Sequence, residues 1–255
     1  MSRLIIGYGN TGKHIDALLR LFSIDADIYD IIKERIPAWR EVKRGSYDVC
    51  HICVNDQYVL DACRDAIELY SPNLLIVHST TQIGTLDKIN YDVLHHPLFF
   101  REKKVFDDVN RPNRVLLSCN NWNNKHAKEW ADLMMKYAQQ TNALFRAYND
   151  LKITEFIKVA TNCIRAVIIT LYNSLYDEAK TKGIEDNIIR GLVTDVLRVD
   201  NVVKWERENY PWGCDPLLLG KAFSGYCLPK DIEYLEAGIF KMAQMLNHKA
   251  GLRIC

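Results

Sequence analysis

The sequence lacks several features that would define whole classes of protein. It contains no run of about 18 uninterrupted apolar residues, so we expect no transmembrane helix. The residues after Met1 turn polar too early for a secretory signal peptide, which favours a cytoplasmic location. Lys and Arg number 33 and Asp and Glu 32, so charge gives no case for a nucleic-acid or membrane-surface partner. No internal repeat stands out, so a repeat architecture is not expected. The length of 255 residues indicates one or two ordinary globular domains.

Cysteine and histidine are present, but their spacing does not predict a metal site. The eight cysteines are scattered along the chain, and without a secretory signal we expect reduced thiols. Cys50 and Cys53 form a CxxC inside an apolar run that reads as a strand, where positions three apart point to opposite faces. The adjacent His95 and His96 diverge for the same reason. We therefore interpret the two cysteines as core thiols and predict no metal at either pair.

The first half of the chain alternates apolar runs with stretches of helical spacing. This alternation is typical of a doubly wound, mainly parallel sheet of the Rossmann-like α/β class. The spacing predicts strands at 3–6, 27–29, 47–54, 73–77, 91–95, 114–118 and 143–145, and helices at 11–22, 58–70 and 122–139.

The pattern changes near residue 149. Residues 151–182 contain neither Pro nor Gly and keep helical spacing, and Gly183 is a plausible stop. Shorter helices are predicted at 188–199 and 230–247. We therefore predict an α/β domain at 1–148, followed by an all-α domain at 149–255 that is built on a long central helix.

The long helix carries more apolar side chains than one side of a helix can bury. This excess predicts a homodimer in which two copies of the helix pack together. The residues concerned are Ile157, Ile164, Val167, Ile168 and Leu171.

A glycine-rich segment, GYGNTG at 7–12, lies between the first strand and the first helix. Its glycines allow a tight turn, close approach of a pyrophosphate and packing of helix on strand, and the helix N-terminus favours phosphate. Asp30 ends the second strand, where a carboxylate accepts hydrogen bonds from ribose hydroxyls and repels a 2′-phosphate. This favours NAD, although Lys33 and Arg35 keep NADP open, and a packing turn with a solvated Asp30 is the alternative. The predicted cofactor site comprises Gly7, Gly9, Asn10, Thr11, Gly12 and Asp30.

A second informative segment is AFSGYCLPKD at 222–231. Pro229 fits the first position of a helix, so Cys227 is predicted just outside the helix N-terminus, where the dipole lowers a thiol pKa. Lys230 adds positive charge, and Asp231 follows Cys227 by one helical turn. A thiolate beside a carboxylate suits covalent catalysis. The alternative is an ordinary helix start with a buried cysteine.

The same segment resembles the Gly-x-Gly-Gly-Ser-Cys-Phe-Pro-Lys-Asp signature of the UDP-glucose/GDP-mannose dehydrogenase family. Three further segments resemble family motifs in the same order. IVHSTTQIGT at 76–85 is similar to a strand followed by Ser-Thr-Val-x-x-Gly-Thr, and HPLFFRE at 96–102 to Asn-Pro-Glu-Phe-Leu-Arg-Glu. TEFIKVATN at 154–162 is similar to Ala-Glu-x-x-Lys-x-x-x-Asn. Together with the glycine turn, the resemblance covers essentially the whole chain.

The resemblance implies a reaction. The family oxidises the C6 alcohol of a nucleotide sugar to a carboxylate and uses two NAD per sugar. Cys227 would trap the intermediate aldehyde as a thiohemiacetal, which is oxidised to a thioester and then hydrolysed. Lys230 would contact the cofactor. The resemblance also implies a homodimer through the long helix.

The resemblance assigns further roles to matching positions. Lys158 and Asn162, four residues apart on one helical face, would stabilise the developing oxyanion. Asp231 would orient or deprotonate the hydrolytic water, and Thr80 would hold that water. Glu102 would assist as an acid or base.

The sequence departs from the family pattern at three points. Leu98 replaces the first glutamate of the 96–102 motif, and because leucine moves no proton we expect the hydrolytic step to be impaired. Asn55 and Asp56 replace a Thr-Pro that borders the nicotinamide. The family continues for roughly another domain, so we expect a truncated form without the UDP-binding domain. Two alternatives stay open: a single-step dehydrogenase of a smaller hydroxy compound with Lys158 as general base, and a non-catalytic NAD-binding relic.

Overall fold

A computed structural model describes residues 1–36, 42, 44–99, 109–110, 112–185, 188, 227–234 and 238–252. The chain divides into two compact units, Met1–Lys158 and Val159–Cys255. The division falls inside the long helix, about ten residues beyond the position at which the composition of the sequence changes.

The first unit is built on one seven-stranded sheet with the order β2-β1-β3-β4-β5-β6-β7. All neighbouring strands are parallel except β5 and β6, which are antiparallel. The predicted doubly wound, mainly parallel sheet is confirmed. The strands are β1 (Arg3–Ile6), β2 (Asp27–Tyr29), β3 (Val49–Ile52), β4 (Leu74–Val77), β5 (Val93–His95), β6 (Arg114–Cys119) and β7 (Leu144–Tyr148).

The helices of the described residues are α1 (Asn10–Leu21), α2 (Val59–Tyr70), α3 (Lys125–Thr141), α4 (Leu151–Thr181), α5 (Cys227–Asp231) and α6 (Gly238–Leu252). The ends of α1 to α4 agree with the predictions to within a few residues. The single helix predicted at 230–247 is wrong, because a 3-10 turn at Ile232–Tyr234 follows α5 and a separate helix begins at Gly238. Glycine is a poor helix former and favours such an interruption. Except for Ile188, the helix predicted at 188–199 lies outside the described residues.

The sheet has two covered faces, and strands β1, β3, β4 and β5 contribute to both. One face is covered by the two helices α1 and α3 and is called the α1–α3 face. It includes Ile5, Val49 and Trp130. The α2 face is covered by helix α2 and includes Leu4 and Cys50. Strands β1, β3 and β4 are buried at every position, which explains why they read as continuous apolar runs.

The two thiols of the CxxC lie on opposite faces, as predicted. Cys50 belongs to the α2 face and Cys53 to the α1–α3 face. Both are free and buried, and burial raises the pKa of Cys50 to about 12.

A chain of buried hydrogen bonds crosses the α1–α3 face. Arg3 Nη1 lies 3.1 Å from His51 Nε2, and His51 Nδ1 lies 2.9 Å from His78 Nε2. His78 Nδ1 lies 3.0 Å from the carbonyl oxygen of His96. Because a guanidinium only donates and a carbonyl only accepts, the chain has one consistent direction. His51 and His78 must both be neutral, with the proton on Nδ1.

The second unit has its own small core. It is formed by the buried face of α4 with Ile232 and Ala243, and the α4 residues are Val159, Cys163, Ala166 and Ile169. Among the helices that the structure describes, none is long and apolar enough to cross a membrane.

Candidate active site

The glycine turn is closely packed at its two ends and open in its middle. Gly7 has φ +91°, and a Cβ there would lie 2.8 Å from the carbonyl oxygen of Cys53. A Cβ on Gly12 would lie 2.0 Å from the carbonyl oxygen of Gly7. A Cβ on Gly9 would meet no atom within 4 Å. The outer glycines are therefore required by packing, whereas Gly9 leaves the surface of the turn accessible to a ligand.

Asp30 follows β2 and lies against the glycine turn. Its Oδ2 accepts a hydrogen bond from the Tyr8 amide at 2.5 Å, and its Oδ1 accepts one from the Ile32 amide at 2.8 Å. Arg35 Nη1 lies 3.8 Å from the same carboxylate. Asp30 is only 6% exposed. The structure thus brings Asp30 to the glycine turn, and Asn10 and Thr11 are the first residues of α1, which follows that turn.

The loop after β4 contains Thr80 and is held by a residue that sequence reasoning missed. The Glu155 carboxylate accepts hydrogen bonds from Thr81 Oγ1 at 2.9 Å, the Gly84 amide at 2.7 Å and the Leu86 amide at 3.1 Å. Glu155 is fully buried. Burial raises its pKa, although the three hydrogen bonds act in the opposite direction. Thr80 itself is half-buried.

One signal for Glu155 was present in the sequence. It lies three residues before Lys158 and occupies the glutamate position of the motif that 154–162 resembles. Its partners are about 70 residues away along the chain, so only the fold reveals its role in holding the loop.

Lys158 is held at the edge of the sheet where the parallel strands end. Its Nζ donates to the carbonyl oxygen of Leu98 at 2.8 Å and lies 4.8 Å from the centroid of the Phe99 ring. The Cζ of Arg114 lies 4.7 Å from the centroid of the same ring. The Leu98 side chain is buried in the core of the α1–α3 face, so only its backbone is directed at Lys158.

The histidine pair after β5 is engaged within the protein. His95 Nδ1 lies 2.8 Å from Thr154 Oγ1, and His95 Nε2 lies 3.1 Å from the carbonyl oxygen of Ser79. His96 is buried beside Trp130. Within the part of the chain that the structure describes, no group of His, Cys, Asp or Glu is arranged to hold a metal ion.

In the second unit, the structure brings together two residues of the predicted catalytic set. Asn162 Nδ2 donates to Asp231 Oδ2 at 2.5 Å, and Asp231 is fully buried. Asp231 Oδ1 lies 3.1 Å from Lys230 Nζ, as an ion pair rather than a hydrogen bond. Cys163 Sγ donates to the Asp231 carbonyl oxygen at 3.1 Å. Lys230, predicted to contact the cofactor, is thus paired with the Asp231 carboxylate.

The position of Cys227 differs slightly from the prediction. Helix α5 begins at Cys227 rather than after it. Pro229 therefore lies in the first turn, where its missing N–H has no helical partner to lose. The Cys227 side chain lies outside what the structure describes, and so does Glu102, which falls in the gap at 100–108.

The fold and the glycine turn define the class of protein: a Rossmann-like α/β domain followed by a helical unit. A UDP-glucose dehydrogenase from the hyperthermophilic archaeon Pyrobaculum islandicum has this fold, with a TM-score of 0.73 and 18% identity over 97% of this chain and 68% of that chain.

Sequence comparison leads to the same group of proteins. UDP-glucose 6-dehydrogenase from Rickettsia conorii is 25% identical over 186 residues, 69% of this chain and 39% of that protein. An uncharacterized protein from Methanocaldococcus jannaschii is 30% identical over 193 residues, 70% of this chain and 19% of that protein. No protein-family model matches the chain. The resemblance to nucleotide-sugar dehydrogenases is confirmed, and the chain spans well under half the length of these relatives.

Proposed function

We propose that this protein is an NAD-dependent dehydrogenase that oxidises the C6 alcohol of a nucleotide sugar to the carboxylate, with Cys227 as covalent nucleophile. The observation that carries the proposal is the buried hydrogen bond between Asn162 and Asp231. It joins the Lys-x-x-x-Asn segment to the Cys-x-Pro-Lys-Asp segment, the two motifs most specific to the resemblance. The relatives named UDP-glucose 6-dehydrogenase make UDP-glucose the first substrate to test.

The glycine turn fits a dinucleotide. The open surface at Gly9 admits a pyrophosphate, and the first-turn amides of α1, from Asn10 onward, are oriented to donate to it. Asp30, already fixed by the Tyr8 amide, would accept hydrogen bonds from the ribose hydroxyls. NAD bound there would supply the acceptor for the two hydrides.

The covalent steps would use the residues that match the family motifs. In the proposed reaction the Cys227 thiolate would add to the C6 aldehyde to give a thiohemiacetal. Loss of the C6 hydride to a second NAD would convert the thiohemiacetal to a thioester, and water would then attack the thioester, break the C–S bond and release the thiolate. The Asn162 amide and the Lys158 ammonium would stabilise the oxyanion. Asp231 would accept a proton from the attacking water, and Thr80 would hold that water. Glu102 would assist in proton transfer.

The stoichiometry of NADH tests this proposal. We expect two NADH per UDP-glucose, measured by absorbance against the sugar consumed. Cys227→Ser should stop at the aldehyde level and give fewer than two, whereas Cys63→Ala, which removes a buried thiol of the α2 face, should still give two. Normal turnover by Cys227→Ser would exclude the covalent route.

The reactivity of the thiols gives an independent test. Burial raises the pKa of Cys63 and Cys163 to about 12 and that of Cys119 to about 11. These thiols should resist iodoacetamide at neutral pH, because the thiolate is the reactive form. We expect Cys227 to be labelled first, as read by peptide mass spectrometry. Labelling of Cys63 at the same rate would contradict its activation.

A second candidate function rests on Lys158. Its buried ammonium is held on a backbone carbonyl at the edge of the sheet, which also suits the general base of a single oxidation of a smaller hydroxy compound. One NADH per substrate, with normal turnover by Cys227→Ser, would favour this reading.

We further propose a homodimer through α4 and a cytoplasmic location. Away from its buried stripe, α4 exposes Phe156, Ile164, Leu171 and Leu175, and a second copy of the helix would cover these side chains. Sedimentation at micromolar concentration should give a dimer, which Ile164→Glu dissociates and Glu178→Gln leaves intact. The location is supported by the thiols, since all five cysteines that the structure describes are free.

A further inference from the structure

We propose that Phe99 is a positioning residue, whose ring and neighbouring carbonyl orient the ammonium of Lys158. This inference rests on the proposed function, in which Lys158 stabilises the oxyanion. It concerns only the unit Met1–Lys158, which contains every atom involved.

The ammonium of Lys158 has two kinds of contact on one short segment. The Leu98 carbonyl oxygen, 2.8 Å from Nζ, accepts one N–H. The Phe99 ring, with its centroid 4.8 Å from Nζ, offers its electron-rich face to the charge. A lysine side chain is a flexible four-carbon stem with three rotatable donors. Two adjacent contacts therefore restrict both the position and the direction of the ammonium.

A second cation, the guanidinium of Arg114, also lies over the Phe99 ring. Arg114, at the start of β6, places its Cζ 4.7 Å from the ring centroid. Because β6 is antiparallel to β5, the beginning of β6 lies beside the residues that follow β5. This is the edge where the parallel strands end, and ligands of doubly wound folds bind there.

The segment that carries Phe99 is itself fixed. The His78 ring is bonded to the His96 carbonyl oxygen, and the His95 ring lies between Thr154 Oγ1 and the Ser79 carbonyl oxygen. These bonds tie residues 95–96 to the end of β4 and to α4. A ring presented by such a segment can orient a side chain, because its own support is held by hydrogen bonds.

The activity test compares three variants. Phe99→Leu keeps an apolar side chain but removes the ring, and we expect kcat for NADH formation to fall about tenfold while KM changes less than about twofold. Phe99→Tyr keeps the ring and should restore kcat. Phe145→Leu, a half-buried phenylalanine of β7, is the matched control and should keep wild-type kcat. If Phe99→Leu and Phe145→Leu have equal kcat, the proposal is wrong.

A spectroscopic test needs no turnover. In protein labelled with ¹³C at the lysine ε carbon, the signal that disappears in Lys158→Met identifies Lys158. Its ε protons should be shifted upfield by the Phe99 ring, and the shift should persist in Phe99→Tyr and vanish in Phe99→Leu. A wild-type signal at the ordinary lysine position would overturn the proposal, even if Phe99→Leu does not fold. Absence of NADH with every nucleotide sugar would instead refute the proposed function and leave this readout valid.

Discussion

The two faces of the sheet are made from neighbouring residues but are held together by different forces. On β3, Cys50 and His51 are adjacent and both fully buried. Cys50 packs among apolar side chains on the α2 face, whereas His51 hydrogen-bonds to Arg3 and His78 on the α1–α3 face. On β1, Leu4 packs on the α2 face, whereas Arg3 lies over the Trp130 ring on the α1–α3 face.

The difference shows how one strand can combine two kinds of stabilisation. Apolar burial on the α2 face does not depend on pH. A buried polar group is tolerated only when it is hydrogen-bonded, so the α1–α3 face depends on imidazoles that keep one protonation state. Burial lowers the pKa of His51 and His78 well below the ordinary value, and the positive charge of Arg3 adds to the effect at His51. Burial also lowers the pKa of His96, which lies beside Trp130 on the α1–α3 face, well below the ordinary value. His95 points away from this face, and burial lowers its pKa to about 4.

The largest expected effect is a loss of stability in acid. Below about pH 6.5 the unfolded chain binds protons at imidazoles that the folded chain keeps neutral, so the free energy of unfolding falls as the pH falls. Each such imidazole contributes about 1.4 kcal/mol per pH unit. With His51, His78, His95 and His96 the slope should approach about 5 kcal/mol per pH unit near pH 5.

Urea unfolding between about pH 8 and pH 5 measures this slope. A free energy of unfolding that stays constant over that range would show that the folded chain accepts protons on these four imidazoles. It would also remove the contrast between the two faces.

A smaller effect on the free energy of unfolding is expected when adjacent residues, one on each face, are mutated. His51→Leu deprives both Arg3 and His78 of a buried partner and should lower the free energy of unfolding by about 2–4 kcal/mol at pH 8. Cys50→Ala removes one buried sulfur and should cost about 1 kcal/mol. His51→Leu should also reduce the pH slope by one imidazole, and Cys50→Ala should leave it unchanged. Equal costs for the two variants would mean that the hydrogen-bond chain contributes no specific stabilisation.

The smallest effect concerns Asp30, which lies at the edge of the sheet and belongs to neither core. We expect NADH to bind at least about tenfold more tightly than NADPH, about 1.4 kcal/mol, because the carboxylate repels a 2′-phosphate. Fluorescence titration should show that Asp30→Asn reduces the ratio of NADH affinity to NADPH affinity. The exposed control Asp25→Asn should leave this ratio unchanged. Equal affinities of the wild type for the two nucleotides would remove the role of Asp30 in cofactor choice.

The sequence by itself determined the elements of the first unit and the course of the long helix. Buried parallel strands require continuous apolar runs, and 3–6 and 73–77 read as strands for that reason. The separation of Cys50 and Cys53 onto opposite faces followed from the two-residue period of a strand. The turn at Gly7 was predictable because only glycine tolerates its positive φ so close to the Cys53 carbonyl.

Only the tertiary structure decided which side chains meet. Arg3 and His51 are 48 residues apart, His51 and His78 are 27 apart, and Lys158 lies 60 residues from the carbonyl it contacts. These contacts depend on strand order and register, which local periodicity does not encode. Leu98 shows the same limit: the sequence identified a missing carboxylate, whereas the fold buried the leucine side chain and directed its carbonyl oxygen at Lys158. Residue types and spacing are local properties, but hydrogen bonding between distant strands is a property of the assembled sheet.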